Sequence, residues 1–230
     1  MKTLQILEKM KKQPIFNFRL LDTPNHNYAN LYLHRLKKQQ LIERVEKNLY
    51  TAYKDPLLIA SRIVWPSYIS CWSALKFHNL TEQVPRAIFI IAPYYKKQVI
   101  FQNTPIVFIS TKNKNLFGYD KLNYQGFDVF VSDKEKSIID CALFKKASFS
   151  ELKEIIKNHF NELDLRKFVS YLKISENKSL IKRFGFLFDN LGKDFYSSLK
   201  KYIDKVYIPL DYTKKMKGIK NKKWRVIENA

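Results

Sequence analysis

The spacing of apolar residues changes once in the first fifty positions, and that change constrains the fold more than any other feature of the chain. From Thr3 to Lys12, Leu4, Leu7 and Met10 recur at three-residue steps with Ile6 alongside, the stripe of an amphipathic helix. Pro14 ends it. A short second helix is predicted over Asn17 to Leu21. Asp22-Thr23-Pro24 then reads as a turn, with Thr23 as N-cap and Pro24 at the first helical position. A third helix runs from there to about Gln39, with Ala29, Leu33 and Leu36 on one face. After it the period drops to two. Leu41 to Glu46 and Leu49 to Tyr53 alternate, joined by Lys47-Asn48, and asparagine tolerates the left-handed conformation of a tight hairpin. Helix, short helix, turn, helix and hairpin is the order of a winged helix-turn-helix, with Lys47-Asn48 at the tip of the wing.

Charge indicates what such a module would meet. Lysine and arginine number 42 against 21 acids, a net of +21. Residues 1–52 hold 10 basic and 4 acidic residues, and the last 38 residues hold 11 and 4, so both ends are denser in positive charge than the middle. An excess of this size points to polyanions, nucleic acid before an anionic membrane. No apolar run approaches the roughly 20 residues of a spanning helix. The N-terminal dozen residues lack the uninterrupted apolar region of a signal peptide. Cys71 and Cys141 lie in apolar helical contexts and read as buried free thiols, which places the protein in a reducing cytoplasm. The polar face of the third helix offers Asn25, His26, Asn27, Tyr28, Asn30, His34, Lys37 and Lys38, and the hairpin adds Arg44, Lys47 and Asn48. Asparagine can pair bidentately with adenine, and lysine neutralises phosphate. The competing reading is a solvated helix face on a module that binds protein.

Asp55-Pro56 marks a boundary between a domain over 1–55 and a larger one over 56–230. The larger domain is predicted to be mixed α and β, so that the fold class is α+β, with strands early and helices late. A helix is expected near Tyr68 to Phe77, and strands over Ala87–Ala92, Gln98–Gln102, Ile106–Thr111 and Phe127–Val131. Helices follow over Lys134–Phe144, Ser150–Asn158, Asp164–Lys173, Glu176–Asn190 and Asp194–Asp204. A short strand, Val206–Leu210, leads to a lysine-rich tail. The four histidines share no ligand spacing, no glycine-rich phosphate loop is present, and no cysteine or serine stands in a nucleophile elbow. No catalytic residue, metal or cofactor is therefore assigned, and the expectation is a protein that is not an enzyme. Asp128, Glu135, Lys136 and Asp140 could in principle hold Mg²⁺ for phosphodiester cleavage, but Glu135 is explained as a first-turn helix charge. Ser70 and Ser73, with Ala74, read as a close helix contact.

Three stretches together carry a resemblance. They are Leu41-Ile42-Glu43-Arg44-Val45-Glu46-Lys47-Asn48-Leu49-Tyr50, Pro66-Ser67-Tyr68-Ile69-Ser70-Cys71-Trp72-Ser73-Ala74-Leu75, and Phe127-Asp128-Val129-Phe130-Val131-Ser132-Asp133-Lys134-Glu135-Lys136-Ser137-Ile138-Ile139-Asp140. Their order and spacing resemble the AbiEi family of antitoxins from the AbiE type IV toxin–antitoxin systems, and Tyr207 to Leu210 with Asn221 to Ile227 fits as well. The resemblance implies a winged helix that binds operator DNA, often as inverted repeats, and represses its own operon. It further implies a C-terminal antitoxin domain acting against a nucleotidyltransferase-fold toxin, without need of a stable complex, in abortive phage infection. A stand-alone transcriptional regulator is the nearest alternative. Two positions depart from the family, which usually has glycine where Gln40 and Asn48 stand. Gln40 implies that the recognition helix ends by a different cap or a longer run.

Overall fold

The computed structural model describes residues 3–21 and 25–229. The Asp22-Thr23-Pro24 turn, with its expected cap at Thr23, lies outside the described residues, as do the side chains of Thr3, Leu4 and His26. The chain forms two compact units. One comprises Met1–Ile69, Pro85–Thr111 and Asp120–Val131, and the other Ser70–Val84, Lys112–Tyr119 and Ser132–Ala230. The fold is mixed α and β, with strands mainly early and helices late.

The first unit opens with α1 (Thr3–Lys11), a 3-10 turn (Phe18–Leu21) and α2 (His26–Lys38). Ile6 and Met10 meet Phe16, Leu21, Ala29, Leu33, Leu36 and Ile42 in one buried cluster, so the apolar stripes read from the sequence face each other. The hairpin follows as β1 (Glu43–Glu46) and β2 (Leu49–Thr51), paired antiparallel. Phe16 adds a third partner, its N–H and C=O both bonding Tyr50 at 2.8 Å. Asp55 then caps α3 (Pro56–Ala60), its carboxylate accepting from Leu57 N, so the expected boundary at Asp55-Pro56 falls inside this unit.

The end of α2 differs from the expectation raised by Gln40. The helix stops at Lys38, and Gln40 adopts φ +57°. Its N–H bonds Lys37 O at 2.9 Å and the Leu41 N–H bonds Leu36 O at 3.0 Å. That is the Schellman closure that a glycine makes. Asn48 likewise takes φ +61° at the hairpin tip. Both positions keep the backbone that glycine favours, and Gln40 does so against its Cβ. Gln40→Gly should therefore raise stability by about 0.5–1 kcal/mol, the steric relief exceeding the entropy that glycine adds to the unfolded chain. A lowered denaturation midpoint would show that the closure is unstrained.

The rest of the first unit is built on a six-stranded sheet in the order β5-β6-β4-β3-β8-β7. Its strands are β3 (Tyr68–Ser70), β4 (Ile88–Ala92), β5 (Val99–Phe101), β6 (Thr104–Ser110), β7 (Tyr119–Tyr124) and β8 (Phe127–Ser132). β4 and β6 run parallel in register from Ile88↔Ile106 to Ala92↔Ser110, and β3 is parallel to β8. Tyr68 to Ser70 thus form a fully buried strand rather than the start of a helix. The N-terminal elements pack on this sheet through the Glu46–Lys96 ion pair at 2.8 Å and the edge-on contact of Tyr53 with Phe127.

The second unit is largely helical: α4 (Cys71–Phe77), α5 (Lys134–Leu143), α6 (Phe149–Asn158), α7 (Leu165–Ser175), α8 (Lys178–Asn190) and the short α9 (Tyr196–Leu199). Each of α5 to α8 starts at a side chain suited to capping: Asp133, Ser148 (a full capping box with Glu151), Asp164 and Asn177. Phe149, Phe168, Phe184 and Phe188 form its aromatic centre, with ring centroids 4.9–6.4 Å apart. The helix expected over Asp194–Asp204 is broken into α9 and a 3-10 turn (Lys200–Tyr202). The tail forms a small sheet in the order β10-β11-β9, from β9 (Ile208–Pro209), β10 (Ile219–Asn221) and β11 (Val226–Glu228).

Asp211, fully buried, ties that tail to α6. It accepts from Ser150 N and Oγ at 3.0 and 2.6 Å and from Thr213 N and Oγ1 at 2.9 and 2.6 Å. Burial works to raise its pKa, but these donors outweigh burial and hold the carboxyl well below the usual carboxylate range. A folded-state pKa below the unfolded value of about 3.9 contributes stability above that pH and loses it as pH falls further. Asp211→Asn should cost about 2 kcal/mol at neutral pH and flatten the loss of stability below about pH 4. An acid-unfolding profile unchanged by the substitution would sink this account.

Candidate nucleic-acid interface

The outward side of α2 follows from its inward side. Ala29, Leu33 and Leu36 are sealed in the core, at 1 % exposure or less. At 100° per residue the opposite row is Asn27, Leu31, His34 and Lys38, with Asn30 and Lys37 on one flank and Tyr28 and Arg35 on the other. All eight of these side chains are exposed. The structure thus brings Asn27, Tyr28, Asn30, His34, Lys37 and Lys38 onto one helix, as the sequence predicts. It adds two residues that sequence reasoning passed over, Leu31 and Arg35.

Asn25 takes another role. It is the N-cap of α2, with its Oδ1 accepting from Asn27 N at 3.0 Å and Tyr28 N at 3.1 Å. That oxygen is the one a bidentate pairing with adenine would use. His26 begins the helix. Tyr28 lies over Tyr32 with centroids 6.3 Å apart. Arg35, Lys37 and Lys38 occupy the last turn of α2, where cations also complement the helix dipole. On the hairpin, Arg44, Lys47 and Asn48 are exposed, and Arg44 Nε donates to Glu46 O at 3.2 Å.

Each of the carboxylates considered for metal-dependent cleavage has a protein partner of its own. Asp128 belongs to the first unit and pairs with Lys121 at 3.2 Å. In the second unit Glu135 accepts from Asp164 N at 2.9 Å, and Asp140 is held by Lys136 and by Ser70 Oγ at 2.8 Å. Among the described residues no group of three His, Cys, Asp or Glu is arranged to hold a metal ion.

Ser73 and Ala74 are buried on α4 where it packs against α5, and Ser70, just before that helix, bonds Asp140 of α5. Ser70 ends β3 and joins a buried chain, Ser132 Oγ to Ser70 Oγ at 3.0 Å and Ser132 Oγ to Ser137 Oγ at 2.8 Å. The next residue, Cys71, takes φ +55° between strand and helix. This is an elbow-like junction that the sequence hides, since no glycine flanks it. Its thiol is buried and free, beside Cys141, whose own pKa burial pushes up. A thiol buried in apolar surroundings is a poor nucleophile.

The second unit also has an open cleft of about 560 Å³, with Trp72 and three glutamates among its lining. Those glutamates are engaged: Glu151 in the cap of α6, Glu82 with Lys76 and Glu154 with Lys157. His159 bonds Glu162 at 2.8 Å and, together with Lys134, holds that carboxyl down at about 2.

This fold is shared with a solved structure. The crystal structure of the Rv2827c protein from Mycobacterium tuberculosis matches with a TM-score of 0.68 over 98% of this chain and 90% of that chain, at 12% sequence identity. At that identity the likeness is one of fold. No family model matches this chain, and no curated protein matches it. Among the described residues no helix is long and apolar enough to cross a membrane.

Proposed function

We propose that this chain is a DNA-binding regulator whose N-terminal segment, residues 1–55, acts as a winged helix-turn-helix on duplex DNA. The observation that carries the reading is the outward face of α2, which exposes amides and cations over a sealed apolar back, next to a basic hairpin tip at Lys47-Asn48. In this reading Asn27, Tyr28 and Asn30 enter the major groove, and Arg35, Lys37, Lys38, Arg44 and Lys47 hold phosphates. The exposed Lys214, Lys215, Lys217, Lys220 and Lys222 of the second unit add sequence-independent affinity.

The three sequence stretches that resemble AbiEi antitoxins support a narrower role. The protein would repress its own operon and counteract a nucleotidyltransferase-fold toxin encoded beside it, with residues 56–230 supplying the antitoxin activity.

The test is a titration of upstream duplex DNA at several salt concentrations. Replacing Lys37 and Lys38 together by alanine should reduce the slope of log affinity against log salt by about 1.8 and weaken binding on the order of tenfold at physiological salt. Equal affinity in variant and wild type would remove α2 as the DNA face and favour a protein-binding module. Co-expression with the adjacent gene addresses the second role: rescue of growth by the Lys37/Lys38 variant separates antitoxicity from repression, and failure of the wild type to rescue argues for a stand-alone regulator.

A further inference from the structure

We infer that α2 is built to read A·T base pairs, with Asn27 and Asn30 on adenine and with Leu31 and Tyr28 on the methyl groups of thymine. This rests on the reading of α2 as a recognition helix and goes one step beyond it. The N-terminal turns of such a helix lie deepest in the major groove. There α2 exposes Asn27, Tyr28, Asn30 and Leu31, and none of them is charged. Guanine is read by arginine or lysine at O6 and N7, and cytosine by a carboxylate at N4. α2 has no acidic residue along its length, and its first cation is Arg35, at the third turn.

What remains on the leading turns matches the edges of an A·T pair. Asparagine offers one donor and one acceptor, as adenine N7 and N6 require, and an apolar side chain suits the thymine methyl. Leu31 and Tyr28 are 49% and 56% exposed, Leu31 in the central row of an otherwise polar face. Exposed apolar area at that point has no use in solvent and a direct use against the thymine methyls of a groove floor. The flanking Arg35, Lys37 and Lys38 supply the charge complementarity that keeps the helix against phosphate.

The experiment uses the full-length protein. Duplexes are selected from a randomised pool, and affinity for the selected site is compared with that for a scrambled one. The selected site is then remade with 7-deazaadenine, which lacks N7, or with uracil, which lacks the thymine methyl. Both changes lie in the major groove. Expected are A·T pairs at the contacted positions, a loss on the order of tenfold with 7-deazaadenine and about fourfold for each methyl removed. Asn27→Ala, Asn30→Ala and Leu31→Ala, all at exposed positions, should narrow the ratio of affinities between the selected and the scrambled site, whereas Lys37→Ala should weaken both alike. Selection of G·C pairs, or an A·T preference untouched by both probes, would overturn the inference while leaving DNA binding intact. Absence of binding to any duplex by the folded protein would overturn both.

Discussion

Lys136→Met is expected to lower stability by about 3–5 kcal/mol, a loss far larger than that of an ordinary lysine substitution. Lys136 and Asp140 are a turn apart on α5 with side chains only 2% and 0% exposed, so each charge relies on the other. Asp140 is held further by Ser70, and the ammonium of Lys136 sits 4.8 Å from the centre of the Phe117 ring. Gly118, at φ +67°, leaves room for this arrangement. A Cβ there would stand 3.1 Å from Lys136 Cβ and 2.9 Å from the Tyr171 ring. Methionine matches the lysine stem in shape but leaves a carboxylate in a dry interior, where it must be protonated or the structure must open. Chemical denaturation of the single variants and of Lys136→Met with Asp140→Leu gives the coupling. The double variant should be less damaged than Lys136→Met alone, because burying an unpaired charge costs more than losing the pair. A single-variant loss below about 1 kcal/mol would mean that water reaches Asp140.

That network also marks where the sequence stops being legible. α1, α2 and the hairpin follow from apolar periods confined to a dozen residues each, and those periods place the exposed asparagines and lysines of α2 correctly. Ser132, Ser137 and Asp140 lie within one short stretch, but Ser70 reaches them across 62 and 70 residues, a long-range fact that no local pattern carries. β7 is missed because it is an edge strand in the order β5-β6-β4-β3-β8-β7 and none of its residues is buried, so it has no apolar alternation to read. Tyr68 to Ser70 are missed for the opposite reason. They are buried throughout and run without a breaker into α4, the turn being made by Cys71 at a positive φ that its residue type does not announce. On α2 itself the difference at Asn25 is one of where the helix starts. A helix begun at Pro24 puts Asn25 inside it as a candidate reader, and one begun at His26 makes it the cap. Arg35 is next to Leu36 in sequence yet 100° away from it on the helix, among the outward cations.

Gly185→Ala should destabilise the protein by about 3 kcal/mol, although the same change in an exposed helix would stabilise by about 1 kcal/mol through helix propensity. Gly185 lies inside α8, and a Cβ there would stand 2.1, 2.4 and 2.5 Å from the Cζ3, Cη2 and Cε3 atoms of Trp224. The indole cannot retreat cheaply. It is fully buried, its Nε1 donates to Asp189 Oδ2 at 3.2 Å, its backbone N–H donates to Asn221 Oδ1 at 2.9 Å, and the Tyr196 ring stands edge-on at 5.2 Å. Either α8 moves away from the C-terminal sheet or the tryptophan leaves its seat. Both loosen the attachment of β9 to β11, and the first also disturbs Phe184 and Phe188, on either side of Gly185, at the aromatic centre of the second unit. The melting temperature should fall by about 6–12 °C for a chain of this size, with amide exchange quickening in β9 to β11 before α1 and α2. Trp224→Leu in the Gly185→Ala background should recover part of the loss, since the smaller side chain vacates the overlapping atoms. An unchanged or raised melting temperature would mean that Trp224 packs elsewhere and that the tail is not anchored through α8.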